Sequence, residues 1–208
     1  MSGCCHQTPV FSGVSADYKR RLWAVIAINA AMFVIEIATG SMAQSQALKA
    51  DALDFLADAL TYGMSLAVIG APLWLRSGAA MIKAISLIGM GLWVFTTTVW
   101  RFFTITDPQP EIMGVVGLLA LAANLASVWL LVRYKDGDAN VKSVWLCSRN
   151  DAIGNVAVMA AGGAVGLTGS HWPDLVVAIG MATLFLGSAR QIMTQAIAET
   201  QHSGDHTH

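Results

Sequence analysis

The sequence predicts an all-α membrane protein, a bundle of six transmembrane helices. Of its 208 residues, 55% are apolar and 12% are charged, whereas soluble domains carry about twice that charged fraction. A helix that crosses a bilayer needs about 20 apolar residues, so six such helices with short connections take up most of the chain. A net charge of −1 and three cysteines exclude a basic nucleic-acid-binding surface and an even-numbered disulfide framework.

Six apolar segments follow one another along the chain, separated by turn residues and charges. The predicted spans are Leu22–Ala43, Ala52–Leu73, Ala79–Trp100, Ile112–Val132, Val144–Leu167 and Leu175–Ala196. A cleaved signal peptide is the alternative interpretation of the first segment, but Glu36 and the full spanning length argue against cleavage. Small residues in the last two spans permit close helix contact, and packing alone explains them; they include Gly162, Gly163, Gly166, Gly180 and Gly187.

Lysine and arginine residues predict the orientation, because cytoplasmic loops keep most of the positive charges. With the N-terminus inside, most of them fall at or near cytoplasmic span ends: Lys19, Arg20, Arg21, Arg76, Lys83, Arg133, Lys135, Lys142 and Arg190. Lys49 and Arg101 fall near outer ends. Both termini are therefore predicted to be cytoplasmic.

The two ends of the chain are polar. We expect a flexible segment over residues 1–18, the six-helix domain over 19–198 and a short histidine-containing tail over 199–208. Metal capture by these ends is conceivable, but their composition favours solvated disorder. The residues concerned are Cys4, Cys5, His6, His202, His206 and His208.

The second span carries three aspartates. Asp51, Asp54 and Asp58 lie at i, i+3 and i+7, which places them on one face of a helix. Carboxylates inside a bilayer are costly and need protons, a basic partner or a bound cation. The span has no Lys or Arg, although Arg149 in the fifth span is a possible counter-ion. Asp51 is nearest the predicted helix start, where a carboxylate is favourable, so we expect it to be structural.

The fifth span offers a matching pair of donors. Cys147 and Asp151 lie at i and i+4, and Asn155 follows one turn later. Two helices that each contribute two ligands, here Asp54 and Asp58 with Cys147 and Asp151, form a four-ligand site that suits Zn²⁺ or Cd²⁺. A buried cysteine that only packs is the alternative for Cys147.

Other polar and sulfur-containing side chains in the spans have simpler explanations. Glu36 and Asn124 are expected to form hydrogen bonds to neighbouring helices rather than to bind metal. The methionines are scattered without a repeated spacing, which favours core packing over copper binding; they include Met32, Met64, Met81, Met90 and Met159.

The segment Gln46–Leu60, with its Asp-Ala-Leu-Asp and Asp54-x-x-x-Asp58 pattern, resembles the second transmembrane helix of cation diffusion facilitators. The segment Asn140–Asn155 is similar to the fifth helix of that family, whose motif is His-x-x-x-Asp. Asn29, Gly40 and the Trp172-Pro-Asp174 sequence also match the family pattern. Cys147 stands where the family usually has histidine.

The resemblance implies a homodimeric, multi-pass transporter of a bacterial inner membrane that exchanges one divalent transition-metal ion for protons between helices two and five. Zn²⁺ is the expected cargo, with Cd²⁺, Co²⁺ and Fe²⁺ as alternatives; no cofactor and no nucleic-acid partner are expected. Family members usually continue into a cytoplasmic metal-binding domain, so the chain resembles the truncated members.

Three other functions are alternatives to a transporter. A metal-responsive sensor or accessory subunit would use the same ligands without flux. A passive channel would need a polar pore, whereas the acidic residues concentrate on two helices. An intramembrane enzyme is disfavoured because the sequence has no H-E-x-x-H and no G-x-S-x-G.

Overall fold

The fold consists of six α-helices. The computed structural model describes the backbone of residues 15–68, 73–104, 107–134 and 139–204, and their side chains outside 73–74, 76–77, 139–150, 195–196 and 198–204. The helices are α1 (Ala16–Met42), α2 (Gln46–Ala67), α3 (Leu73–Phe103), α4 (Pro110–Leu131), α5 (Ala139–Thr168) and α6 (Trp172–Gly204), and a 3₁₀ turn, Val132–Tyr134, follows α4.

The all-α prediction with six helices is confirmed, and the described residues contain no strand. Among the described residues, five helices are long and apolar enough to cross a membrane. The exception is α2, because Lys49 and the three aspartates interrupt its apolar sequence. The predicted terminal segments, 1–18 and 199–208, lie partly outside the described residues, and α6 continues to Gly204.

Helix α2 lies in the middle of the bundle. The helices pair most extensively as α1 with α2, α3 with α6 and α4 with α5, and α2 also contacts α3, α5 and α6. Four neighbours therefore surround the helix that carries the aspartates. Large apolar side chains on the other helices face outward, as expected for contact with lipid; they include Val34, Trp100, Leu118, Trp129 and Leu184.

The start of α2 differs from the prediction. The helix begins at Gln46, six residues before the predicted Ala52, and Ser45 caps it by accepting a hydrogen bond from the backbone N–H of Leu48. Asp51 is therefore in the second turn, where the orphan N–H groups have ended. The expectation that Asp51 is favoured by the helix N-terminus is wrong.

Helices α4 and α5 approach each other closely at two glycines. A Cβ on Gly162 would lie 2.9 Å from Met113 Cβ, and one on Gly117 would lie 2.8 Å from Met159 Cγ. The neighbouring Gly163 would meet nothing within 4 Å. The small residues thus allow contact only where they face a partner helix.

Candidate metal site

Three carboxyl groups from two helices meet in one cavity. Asp54 and Asp58 stand one turn apart on α2, and Asp151 projects from α5. The carboxyl group of Asp151 lies close enough to those of Asp54 and Asp58 to interact with both. All three line a cavity of about 270 Å³. The structure therefore brings together three of the four predicted ligand residues.

The cavity lies between α2, α3, α5 and α6. Apolar side chains form most of its wall, including Ala57, Leu87, Met181, Phe185 and Ile192, and Thr61 and Ser188 are polar members. Leu184 and Ser188 on α6 are exposed, so the cavity reaches the surface of the helix bundle there. An apolar wall strengthens the electrostatic interactions of the carboxylates with any cation that enters.

A tyrosine holds Asp58 in place. The hydroxyl group of Tyr62 donates a hydrogen bond to Asp58 Oδ2, and Tyr62 is fully buried. The two residues lie at i and i+4 on α2, where side chains meet. Tyr62 is not among the predicted site residues, although its spacing from Asp58 is visible in the sequence.

Lys83 is also part of the cavity wall, although the sequence places it near the cytoplasmic end of the third span. The helix α3 begins at Leu73, so Lys83 follows almost three turns later. Its positive charge acts on both Asp54 and Asp58. The sequence could not reveal this interaction between Lys83 and the aspartates, because the register in which α2 and α3 pack is set by the tertiary structure.

The fourth predicted ligand, Cys147, precedes Asp151 by one helical turn on α5. The side chains of Cys147 and Arg149 lie outside the described residues. Within the described part of the chain, no three His, Cys, Asp or Glu side chains lie in an arrangement that could hold a metal ion. Asn155, which the spacing placed on the same face, is fully buried, and its side-chain amide makes no hydrogen bond to a described residue.

A second acidic pair lies next to the cavity residues. Glu36 on α1 and Asp51 on α2 are buried, and they lie close enough for their charges to interact. Two neighbouring buried carboxyl groups need a shared proton or a cation. Among the described residues, neither carboxyl oxygen of Glu36 has a hydrogen-bond partner, so the hydrogen bond that the sequence predicts for Glu36 is not formed there.

Asp174 joins α6 to the start of α2. Its buried carboxylate accepts hydrogen bonds from Ser45 Oγ at 2.5 Å, from the Gln46 N–H at 2.8 Å and from the Ala47 N–H at 3.1 Å. A carboxylate at a helix N-terminus satisfies orphan donors and complements the helix dipole. This contact fixes the end of α2 closest to Asp51.

Comparison with known proteins identifies the family. Residues 75–199 match the cation efflux transmembrane domain. The zinc transporter ZitB of Pectobacterium atrosepticum is 30% identical over 206 residues, which cover 90% of this chain and 63% of that protein. The metal cation efflux system protein CzcD of Cupriavidus metallidurans is 29% identical over 175 residues, covering 77% of this chain and 55% of CzcD.

A more distant relative is the cadmium, cobalt and zinc/H(+)-K(+) antiporter of Bacillus velezensis, 22% identical over 180 residues that cover 79% of this chain and 57% of the antiporter. The chain spans less than two thirds of the length of each of these relatives. Its apolar helices and its bacterial relatives mark it as a multi-pass integral protein of the bacterial inner membrane. The chain belongs to the cation diffusion facilitator family.

Proposed function

We propose that this chain exports a divalent transition-metal ion, with Zn²⁺ as the cargo, in exchange for protons. The observation that carries the proposal is the meeting of Asp54, Asp58 and Asp151 in one cavity inside an apolar bundle. Such carboxylates are costly in a membrane unless a cation or protons neutralise them. The names of the relatives, which include zinc transporters and a cadmium, cobalt and zinc antiporter, support the choice of cargo.

The ion would be held by Asp54 and Asp58 of α2 and Asp151 of α5, with Cys147 as the fourth donor. Three carboxylate oxygens and a thiolate can complete the four-ligand shell that zinc prefers. A thiolate also favours Cd²⁺ over harder cations, so Cd²⁺ is the first alternative cargo, followed by Co²⁺ and Fe²⁺.

Proton exchange follows from the chemistry of these ligands. Carboxylates and thiolates bind metal in their deprotonated form, so loading of the ion releases protons. Rocking of one helix group against another would then expose the site to the other side. Protons entering from that side compete with the metal for the same oxygens and release it. We also propose that the transporter works as a homodimer, as the resemblance implies.

The test is transport in vesicles that contain the purified protein. Zn²⁺ entry and internal pH are followed together, and we expect zinc flux with opposed proton movement. Zinc flux without proton movement would contradict the exchange. Zinc binding without flux would favour the alternative, a metal-responsive sensor or accessory subunit.

Asp58→Asn tests the site itself. We expect it to lower zinc flux at least a hundredfold, because the amide removes an anionic ligand while its oxygen still accepts the Tyr62 hydrogen bond. Asp17→Asn is the control, since Asp17 lies in an exposed ion pair with Arg21 far along the chain from the cavity residues. Unchanged flux in Asp58→Asn would mean that the carboxylates are structural.

A further inference from the structure

Lys83 is the one basic side chain among the described residues that line the acidic cavity. It lies almost three turns after the start of α3 and is half-buried. In the described part of the chain, Arg21 and Asp17 form the one direct ion pair. Lys83 therefore lines the same cavity as the carboxylates and forms no direct ion pair with any of them.

The ammonium group of Lys83 influences whatever cation enters this cavity. It is close enough to act on the charges of Asp54 and Asp58, so it would also act on a cation held between those aspartates. A lysine charge in this place repels a dication, and the apolar wall limits screening of the repulsion.

We propose that Lys83 is an affinity-setting residue, which weakens the binding of divalent cations in the cavity so that the ion can leave. This inference rests on the proposed function, because it concerns the release of the carried ion. A carrier must bind its ion strongly enough to load and weakly enough to unload. Asp54, Asp58 and Asp151 favour loading, and the fixed charge of Lys83 favours unloading.

The proposal differs from a purely structural role for Lys83. A structural lysine would hold α3 against α2, and its loss would loosen the cavity and weaken metal binding. An affinity-setting lysine has the opposite signature, because its loss removes repulsion and tightens binding. The sign of the change in affinity therefore separates the two roles.

The experiment is an equilibrium titration of the purified full chain in detergent with Zn²⁺. We expect Lys83→Met and Lys83→Gln to bind Zn²⁺ about tenfold more tightly than the unmodified protein, the effect of removing one unit charge across a cavity of this size. Lys83→Arg keeps the charge and should stay within about twofold. Lys49→Met is the matched control, since Lys49 is half-buried on α2 and lines a different cavity with Arg101.

Transport supplies a second readout. In vesicles, Lys83→Met should lower both the KM for Zn²⁺ and the maximal rate, because the ion loads more easily and leaves more slowly. Unchanged or weaker Zn²⁺ binding in folded Lys83→Met and Lys83→Gln would overturn the proposal. Loss of folding in both variants would also overturn it, because Lys83 would then be structural. Tighter binding without any flux in the unmodified protein would leave the affinity role intact and refute the proposed transport.

Discussion

Removal of the Asp174 carboxylate should destabilise the whole bundle. In Asp174→Ala, the hydroxyl of Ser45 and the N–H groups of Gln46 and Ala47 lose their acceptor at a buried place. Hydrogen bonds to charged groups contribute about 1.5–3 kcal/mol each, and partial access of water lowers the combined effect. We expect a loss of about 3–5 kcal/mol in the free energy of unfolding, because α2 then starts without its partner on α6.

The assay is thermal unfolding in detergent, followed by tryptophan fluorescence. For a chain of this size each kcal/mol corresponds to about 2–4 °C in Tm, so Asp174→Ala should lower Tm by about 6–20 °C. Asp174→Asn keeps one acceptor and should fall in between. The control is Glu111→Ala, because Glu111 is an exposed acidic residue in the first turn of α4; its loss should cost about 0.5 kcal/mol. Equal Tm values for Asp174→Ala and Glu111→Ala would refute the reasoning.

Three further predictions concern packing, the buried acidic pair and metal choice. Gly162→Ala should cost about 1–3 kcal/mol because its Cβ would press on Met113, whereas Gly163→Ala, which meets nothing within 4 Å, should change Tm little; equal effects would show that α4 and α5 do not pack this closely. Glu36→Gln should keep Tm near that of the unmodified protein because an amide can donate to Asp51, whereas Glu36→Ala should lower it by opening a cavity; equal Tm values would contradict the pairing. Cys147→His should retain transport and shift competition between Zn²⁺ and Cd²⁺ toward Zn²⁺, measured in the vesicle assay; an unchanged preference would show that Cys147 does not bind the ion.

The sequence predicts the fold well because most of the helices are long runs of apolar residues, which are easily identified. It also predicts the pairing of Asp54 and Asp58 with Asp151, since a helical spacing of three to four residues on each segment puts the carboxyl groups on one face. The sequence-based prediction fails at the start of α2, because the apolar pattern begins only after the polar first turn of that helix. Ser45, a residue typical of N-caps, marks the true beginning.

The roles of Lys83 and Asp174 illustrate what the sequence alone cannot supply. Counting positive charges places Lys83 near a cytoplasmic span end, and the count does not show that this residue also lines the acidic cavity. Asp174 directly precedes the predicted sixth span, and its hydrogen bonds to α2 depend on a chain separation of more than 120 residues. Contacts of this kind follow from the packing of helices against each other, which periodicity along one helix does not encode.

The composition of α2 and its position in the bundle explain each other. Within the described residues, α2 is the helix whose sequence is too charged to meet the criteria for a membrane span. It is also the helix that is surrounded by α1, α3, α5 and α6. Its polar groups are matched by neighbours on three of those helices: Glu36 faces Asp51, Asp151 faces Asp54 and Asp58, and the Asp174 carboxylate accepts from the first turn. A helix of this composition is stable in a bilayer only inside such a shell. The same shell encloses the carboxylates and leaves the cavity between the helices open at Leu184 and Ser188, so one arrangement meets the requirement for stability and, in the proposed function, the requirement for ion binding.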